Sequence, residues 1–189
     1  MTLTNQNIEQ LLRLCSSNDS KAQLEIYNRY YKAMYNTAFR IVKDSFKAED
    51  IMQESFLTAF TKLDTLEDLS LFGAWLKRIV VNNSIAEYHK TVKRHEVPLE
   101  AILYKVEDEN SGINEKDQTQ KEVKQIINVM KTLKPNYNIV LTLHLIEGYD
   151  YEEICDIMKI SYGNCRTMIS RAKESLRKKL MLTHNDKRA

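Results

Sequence analysis

The last predicted helix carries two rows of side chains that differ in chemistry. Its apolar row recurs every three or four residues and predicts a buried face, formed by Cys165, Ile169, Ala172, Leu176 and Leu180. Beside it lie cationic and hydroxyl side chains, namely Arg166, Thr167, Ser170, Arg171 and Lys173. Arginine can pair bidentately with a guanine edge, while lysine and hydroxyl groups hold phosphates. This combination favours binding to nucleic acid.

The segment before this helix supports the same interpretation. Asp150 and Glu153 form a capping-box pattern ahead of a short helix, and after a break at 159–160 Ser161 can cap the next one. Two helices joined by so short a turn predict a helix-turn-helix. From 162 to 180 six basic side chains stand against one acidic side chain, a net charge of +5. The alternative is an ordinary bundle with a solvated basic helix.

A second cluster is acidic and lies in the first half of the chain. Its four side chains fall within two helical turns, so several of them share one exposed face: Glu49, Asp50, Gln53 and Glu54. Such a patch suits the basic surface of a partner protein. The alternative is a carboxylate cluster that only complements the dipole of its own helix.

A third cluster mixes cations with amides on the next predicted helix. Its members are Lys77, Arg78, Asn82 and Asn83, and this mixture can grip a nucleic-acid backbone and hydrogen-bond a base edge. The alternative for Asn82 is that its amide is buried and hydrogen-bonded within the protein. Trp75 could stack on a base, but its place in an apolar stripe favours the protein core.

The elements that must position these clusters are helices. The 189 residues include only 4 Gly and 2 Pro but are 43% hydrophobic, which disfavours turn-rich β folds and predicts an all-α protein. A capping box at Ser20 and Gln23 and apolar residues at steps of three and four predict a helix over 20–43, with Leu24, Tyr27, Tyr31, Met34, Ala38 and Ile41 inward. Further helices are predicted around 8–15, over 46–63, from 70, from 123, over 137–147 ending at Gly148, and over 161–180.

The net charge of +2 is an average over unlike segments. Residues 1–95 carry 13 basic and 11 acidic side chains, whereas 96–120 carry two against seven, a net charge of −5. Residues 121–189 carry 13 against 8, a net charge of +5. The pattern predicts two domains, 1–95 and 121–189, joined by an acidic linker at 96–120 with a short helical turn around 99–106. A plain flexible tether is the alternative for that linker.

Two sets of motifs resemble one family. Residues 133–137 (LKPNY), 146–154 (IEGYDYEEI) and 170–173 (SRAK) resemble region 4 of bacterial RNA polymerase sigma factors. Residues 48–57 (AEDIMQESFL) and 72–82 (FGAWLKRIVVN) resemble region 2. Since no segment is long enough for the extra domains of housekeeping sigma factors, the chain resembles their two-domain extracytoplasmic-function (ECF) group.

The resemblance implies roles for all three clusters. The acidic cluster would bind core RNA polymerase at the clamp helices of its largest subunit, the flap region being a second polymerase contact. The cluster at 77–83 would bind the −10 promoter element, with the loop at 64–70 holding a flipped base. The basic row at 166–173 would bind the −35 element. Met168 departs from the family, which usually has arginine there, and an anti-sigma factor is an implied partner.

No motif for catalysis, metal or cofactor binding is found, so we expect no enzyme activity of its own and no cofactor. An odd count of three cysteines and no visible signal peptide favour a reducing cytoplasm. Two rival functions remain. One is a dimeric regulator that binds duplex DNA without polymerase, and the other is a helical adaptor whose basic helix binds acidic proteins.

Overall fold

The computed structural model of the protein describes residues 6–94 and 116–185. All regular secondary structure within those ranges is helical, which confirms the predicted all-α class. The chain forms two compact units, Met1–Arg94 and His95–Ala189.

The first unit is a bundle in which three long helices pack on one another and a short helix lies against the first of them. The helices are α1 (Ile8–Ser16), α2 (Ser20–Val42), α3 (Ser45–Thr61) and α4 (Phe72–Arg94), with 3₁₀ turns at Leu63–Thr65 and Leu69–Leu71. Side chains from every helix meet in one core, which includes Leu11, Leu12, Ile26, Phe56, Phe72, Leu76 and Val80. This core fixes the directions in which α3 and α4 present their outer faces.

The start and the outer face of α2 differ from the sequence expectation. Asp19, and not Ser20, is the N-cap, because its carboxylate accepts hydrogen bonds from the backbone N–H groups of Lys21 (2.8 Å) and Ala22 (3.1 Å). The inward prediction was wrong for Leu24 and Tyr31, whose side chains are 59% and 42% exposed. The buried face of α2 is rotated away from them.

Over residues 116–185, the described part of the second unit, the chain forms four helices and one turn of π-helix. They are α5 (Lys116–Lys131), α6 (Pro135–Leu141), the π turn (Thr142–Ile146), α7 (Tyr151–Met158) and α8 (Tyr162–Asn185). The helix predicted over 137–147 begins at Pro135 and changes from α to π geometry at Thr142, and Gly148 follows its end with the expected positive φ of 82°. The start of α5 lies within 96–120, and the turn predicted around 99–106 lies outside the described residues.

The turn between α7 and α8 contains a strained residue that offers a stability test. Lys159 is exposed and has φ 55° and ψ 47°, a left-handed conformation that glycine adopts without steric cost. We expect Lys159→Gly to raise the free energy of unfolding by about 0.5–1 kcal/mol, because relief of strain outweighs the extra freedom of the unfolded chain. Urea unfolding measures this, with Lys134→Gly (φ −52°) as the control that should lose stability. Equal losses in both variants would contradict the assignment of strain to Lys159.

Candidate functional site

Each helix of the helix-turn-helix is capped at its start by hydrogen bonds that the sequence predicted. The N–H of Glu153 donates to Asp150 Oδ1 (2.8 Å) and the N–H of Asp150 donates to Glu153 Oε2 (2.9 Å), so the capping box is complete. Ser161 Oγ accepts from the backbone N–H of Asn164 (3.4 Å) at the start of α8. Both helices of the motif therefore begin at fixed points.

The apolar row of α8 is buried from Cys165 to Leu176, as the sequence predicted, while Leu180 at its end is partly buried. Ile169 and Ala172 are inaccessible, and the thiol of Cys165 lies against α7, 3.7 Å from the backbone oxygen of Tyr151. Burial, with a smaller contribution from the thiol of Cys155, raises the pKa of Cys165 to about 11. The thiol of Cys165 thus stays protonated at neutral pH and serves as a small packing group.

The polar row of α8 points away from this core. Arg166, Thr167, Ser170 and Arg171 are exposed, while Lys173 is half-buried at the edge of the row. Thr167 Oγ1 donates to the backbone oxygen of Gly163 (2.8 Å), so the proton of its hydroxyl is already engaged. The row can therefore present two guanidinium groups and a hydroxyl to the same external surface.

Two cationic side chains farther along α8 form ion pairs within the helix. Arg177 Nη1 lies 2.6 Å from Glu174 Oε2, and Lys178 Nζ lies 3.7 Å from Glu174 Oε1. All three side chains are exposed. Glu174 therefore reduces the positive potential at this end of the candidate nucleic-acid surface. The net charge of the whole helix does not show this local effect.

The two amide residues of α4, Asn82 and Asn83, lie in different environments. Asn82 is exposed, so its buried alternative does not hold. Asn83 is half-buried, and its Nδ2 donates to Ser55 Oγ on α3 (3.0 Å). Ser55 Oγ in turn donates to the backbone oxygen of Ile51 (2.6 Å). Asn83 therefore links α4 to α3 through a buried hydrogen-bond chain.

The other candidate residues of α4 lie near Asn82. Lys77 and Arg78 are half-buried and interact with other groups of the protein. Trp75 is also half-buried and packs on Phe72, with ring centroids 6.1 Å apart, in agreement with a core position. Arg78 and Asn82 are one helical turn apart, so they share a face of α4.

The loop before α4 is shaped by local hydrogen bonds. Asp68 Oδ1 accepts from the backbone N–H of Ser70 (2.9 Å), and hydrogen bonds with Ser70 lower the pKa of Asp68 below its ordinary value. Leu71, at the end of this loop, is an exposed large apolar side chain. The loop thus has a defined turn with an outward apolar group beside it.

An ion pair fixes the far end of α4 against the start of α3. Lys47 Nζ lies 2.9 Å from Glu87 Oε1 and donates to Thr91 Oγ1 (2.8 Å). The hydrogen bond from Lys47 is the main cause that lowers the pKa of Glu87. Together with the link between Asn83 and Ser55, this pair aligns the two helices that carry the acidic and the amide clusters.

The acidic cluster forms an exposed face of α3 with an apolar residue at each end. Glu49, Asp50, Gln53 and Glu54 are all exposed, and Gln53 Nε2 donates to Glu49 Oε1 (3.3 Å). On the same face lie Phe46, 82% exposed, and Leu57, 68% exposed. Sequence reasoning missed these two, although they continue the spacing of three and four residues that joins the acidic residues.

A groove lies between α5 and α8 in the second unit. Its lining combines apolar and basic side chains: Lys121, Lys124, Gln125, Asn128, Val129, Thr132, Lys179 and Leu182. Lys179 Nζ reaches from α8 to the residue after α5, where it donates to the backbone oxygen (2.7 Å) and Oγ1 (3.0 Å) of Thr132. This hydrogen bonding holds the two helices at the width of the groove.

Comparison with known proteins identifies the family. The sigma-70 region 2 family matches residues 26–96, and the sigma-70 region 4 family matches residues 124–176. The ECF RNA polymerase sigma factor SigM of Bacillus subtilis is 30% identical over 154 residues, covering 81% of this chain and 91% of SigM. The chain belongs to the sigma-70 family. As an ECF-type sigma factor it is a promoter-directing transcription initiation factor.

Further comparisons agree with this assignment. The ECF RNA polymerase sigma-E factor of Haemophilus influenzae is 28% identical, covering 90% of this sigma factor and 93% of its own length. The fold is similar to that of the sigma factor RpoE of Bartonella quintana, solved with the anti-sigma factor NepR (TM-score 0.58, 20% identity, 83% of this chain and 95% of that chain). It is also similar to CnrH, solved with the cytosolic domain of CnrY (TM-score 0.53, 19% identity, 93% and 97%). None of the helices in the described ranges of this sigma factor has the length and apolarity to cross a membrane.

Proposed function

We propose that this sigma factor divides promoter-directed initiation among three surfaces: the acidic face of α3, the exposed side of α4, and the basic row of α8. The observation that carries the proposal is the α8 row, because its two arginines project from a capped helix-turn-helix whose apolar row is buried. A helix held in this way can enter a major groove with its first turns. We assign Arg166, Thr167, Ser170, Arg171 and Lys173 to the −35 element.

The acidic face of α3 is the proposed contact with core polymerase. Its carboxylates suit a basic helical surface, such as the clamp helices of the largest subunit, and set the orientation and rate of docking. Phe46 and Leu57 extend this proposal, because large apolar side chains at the ends of a charged patch can supply the buried contacts from which most interface affinity comes. Glu49, Asp50, Gln53 and Glu54 would then form the polar centre.

The exposed side of α4 is the proposed contact with the −10 element. Lys77 and Arg78 would hold the backbone and Asn82 would hydrogen-bond an unpaired base. Asn83 supports this site indirectly, since its hydrogen bond to Ser55 sets the position of α4 on α3. The loop at 64–70, with its defined turn, would hold the flipped base, which repays the cost of unstacking it.

The groove between α5 and α8 is the proposed contact with the flap region of polymerase. Leu182 is exposed on its lining and Val129 is already buried there, so an apolar helix could cover Leu182. An interaction here would fix the second unit on polymerase without using the polar row of α8.

The remaining assignments concern partners and organisation. One of the similar structures contains an anti-sigma factor, NepR, and we propose that a protein of this kind also binds this chain in the cytoplasm. Residues 1–95 and 121–189 would act as two DNA-binding domains, whose joint binding gains from a high effective concentration. The linker at 96–120, with its net charge of −5, would suit a basic channel of polymerase. Nucleotide addition would be the work of the core enzyme alone.

Footprinting with and without core polymerase tests this function against its rivals. The holoenzyme should protect both the −35 and −10 elements of a promoter, and the protein alone should protect neither at the same concentration. Strong protection by the protein alone would favour a duplex-binding regulator. Absence of any complex with core polymerase would favour the helical adaptor.

Glu174 gives a further test, because it competes with phosphate for two cations of α8. Glu174→Gln should release Arg177 and Lys178, tighten binding of the holoenzyme to promoter DNA several-fold at low salt, and steepen the salt dependence by about 1–2 units of log–log slope. Fluorescence anisotropy over a series of salt concentrations measures both effects. Glu122→Gln, an equal charge change on α5, is the control. If the two variants bind DNA alike, the proposed competition does not occur.

A further inference from the structure

Tyr162 is an exposed aromatic residue at the first position of α8. Its side chain is 53% exposed, and one side of its ring packs on Tyr151, with centroids 6.2 Å apart and planes tilted by 52°. Tyr151 is in turn held edge-on by His144 at 5.2 Å. About half of the side chain of Tyr162 remains in solvent, while Ile154 and Cys165 in the core of the motif are inaccessible. The ring is therefore oriented by the protein but available to a partner.

Its position places it beside the predicted DNA contacts. Tyr162 is one helical turn before Arg166 and two turns before Ser170, so the three side chains lie along one side of α8. In a helix-turn-helix the first residues of the second helix approach the base edges most closely. Tyr162 is therefore among the residues of α8 that such a helix presents to base edges.

Gly163 supports close approach at the same place. Its φ is not positive, and a Cβ placed there would meet no atom within 4 Å other than those of the adjacent residues and of its own helix backbone. The interior of the protein thus gives no reason for a glycine, although glycine weakens a helix relative to alanine. The missing side chain leaves the surface next to Tyr162 flat, so a base pair could come into contact with the ring.

We propose that Tyr162 reads a thymine of the −35 element by packing its ring against the C5 methyl group. Among the four DNA bases only thymine presents a methyl group in the major groove, and apolar side chains recognise it by direct contact. This inference rests on the proposed role of α8 in DNA binding. It adds a specificity-determining residue that acts through apolar contact and does not depend on charge.

The test removes single methyl groups from the DNA. A promoter is first selected with the holoenzyme from a library randomised over the −35 element, and each thymine of that element is then replaced in turn by deoxyuridine. Initiation by the wild-type holoenzyme should fall about fourfold at one position, the value of one buried methyl-sized group. With Tyr162→Ala the thymine and uracil templates should give equal initiation, whereas Tyr162→Phe should retain the difference.

Three results would overturn the inference. Equal initiation by the wild type on all thymine and uracil templates would exclude a methyl contact, whatever the folding of the variants. A fourfold methyl effect that persists in Tyr162→Ala would assign the contact to another residue. A loss of the effect in Tyr162→Phe would assign it to the hydroxyl group. Failure of the proposed sigma function is distinguishable, because then no template supports initiation at all.

Discussion

Replacing Arg166 and Arg171 together with alanine is expected to lower initiation at a −35-dependent promoter by about a hundredfold. Each arginine that pairs with a base contributes about 1–3 kcal/mol, and each factor of ten corresponds to about 1.4 kcal/mol. Both side chains are exposed and α8 keeps its buried row, so the variant should fold and bind core polymerase as the wild type does. Single-round transcription with the two holoenzymes measures the ratio.

The control variant has the same net charge as the double arginine variant. Arg13→Ala combined with Lys134→Ala removes two exposed cations elsewhere in the chain and should leave initiation nearly unchanged. A promoter without a −35 element is the second control, and on it the double arginine variant should lose little activity. Unchanged initiation by the arginine variant at the −35-dependent promoter would remove these residues from the DNA contact.

Reversing the charge of Asp50 and Glu54 is expected to weaken binding to core polymerase by about a hundredfold or more. Asp50→Lys with Glu54→Lys would set lysines against a basic partner surface, and such like-charge contacts cost several kcal/mol. Both side chains are exposed on α3 and have no part in the core, so the unfolding transition should change little. Titration of labelled core polymerase measures the dissociation constant.

The matched control places the same charge change outside the α3 face. Asp64→Lys with Glu67→Lys alters two exposed acidic residues of the loop before α4 and should bind core polymerase as the wild type does. If both double variants weaken binding equally, the effect is one of net charge. If neither does, α3 is not the polymerase contact.

Features that depend on neighbouring residues could be predicted from the sequence. The capping box of Asp150 and Glu153 and the buried row from Cys165 to Leu176 are confirmed, because both follow from spacings within one helix or at its start. The positive φ of Gly148 is a local feature of the same kind. The exposed polar rows of α3 and α8 could be predicted for the same reason. Each helix has one buried side, so its polar side chains lie on the other side.

Features that depend on distant partners could not be predicted. Asn83 lies inward because Ser55, 28 residues earlier, accepts its hydrogen bond. Leu24 is apolar and correctly spaced but remains outside the core, since the contacts of α2 with α3 and α4 set the buried face. Phe46 and Leu57 were given no role by the sequence analysis, and they are exposed because α3 buries its opposite side against the other helices.

Run-off transcription with purified core polymerase tests the central claim most directly. Core polymerase mixed with this protein should start transcription at a fixed site on a promoter selected by the holoenzyme, and core polymerase alone should not. The start should disappear when the −35 element is replaced and when the acidic face of α3 carries Asp50→Lys and Glu54→Lys. If the protein forms no complex with core polymerase and no specific transcript appears on any selected template, the account of this chain as an initiation factor is contradicted.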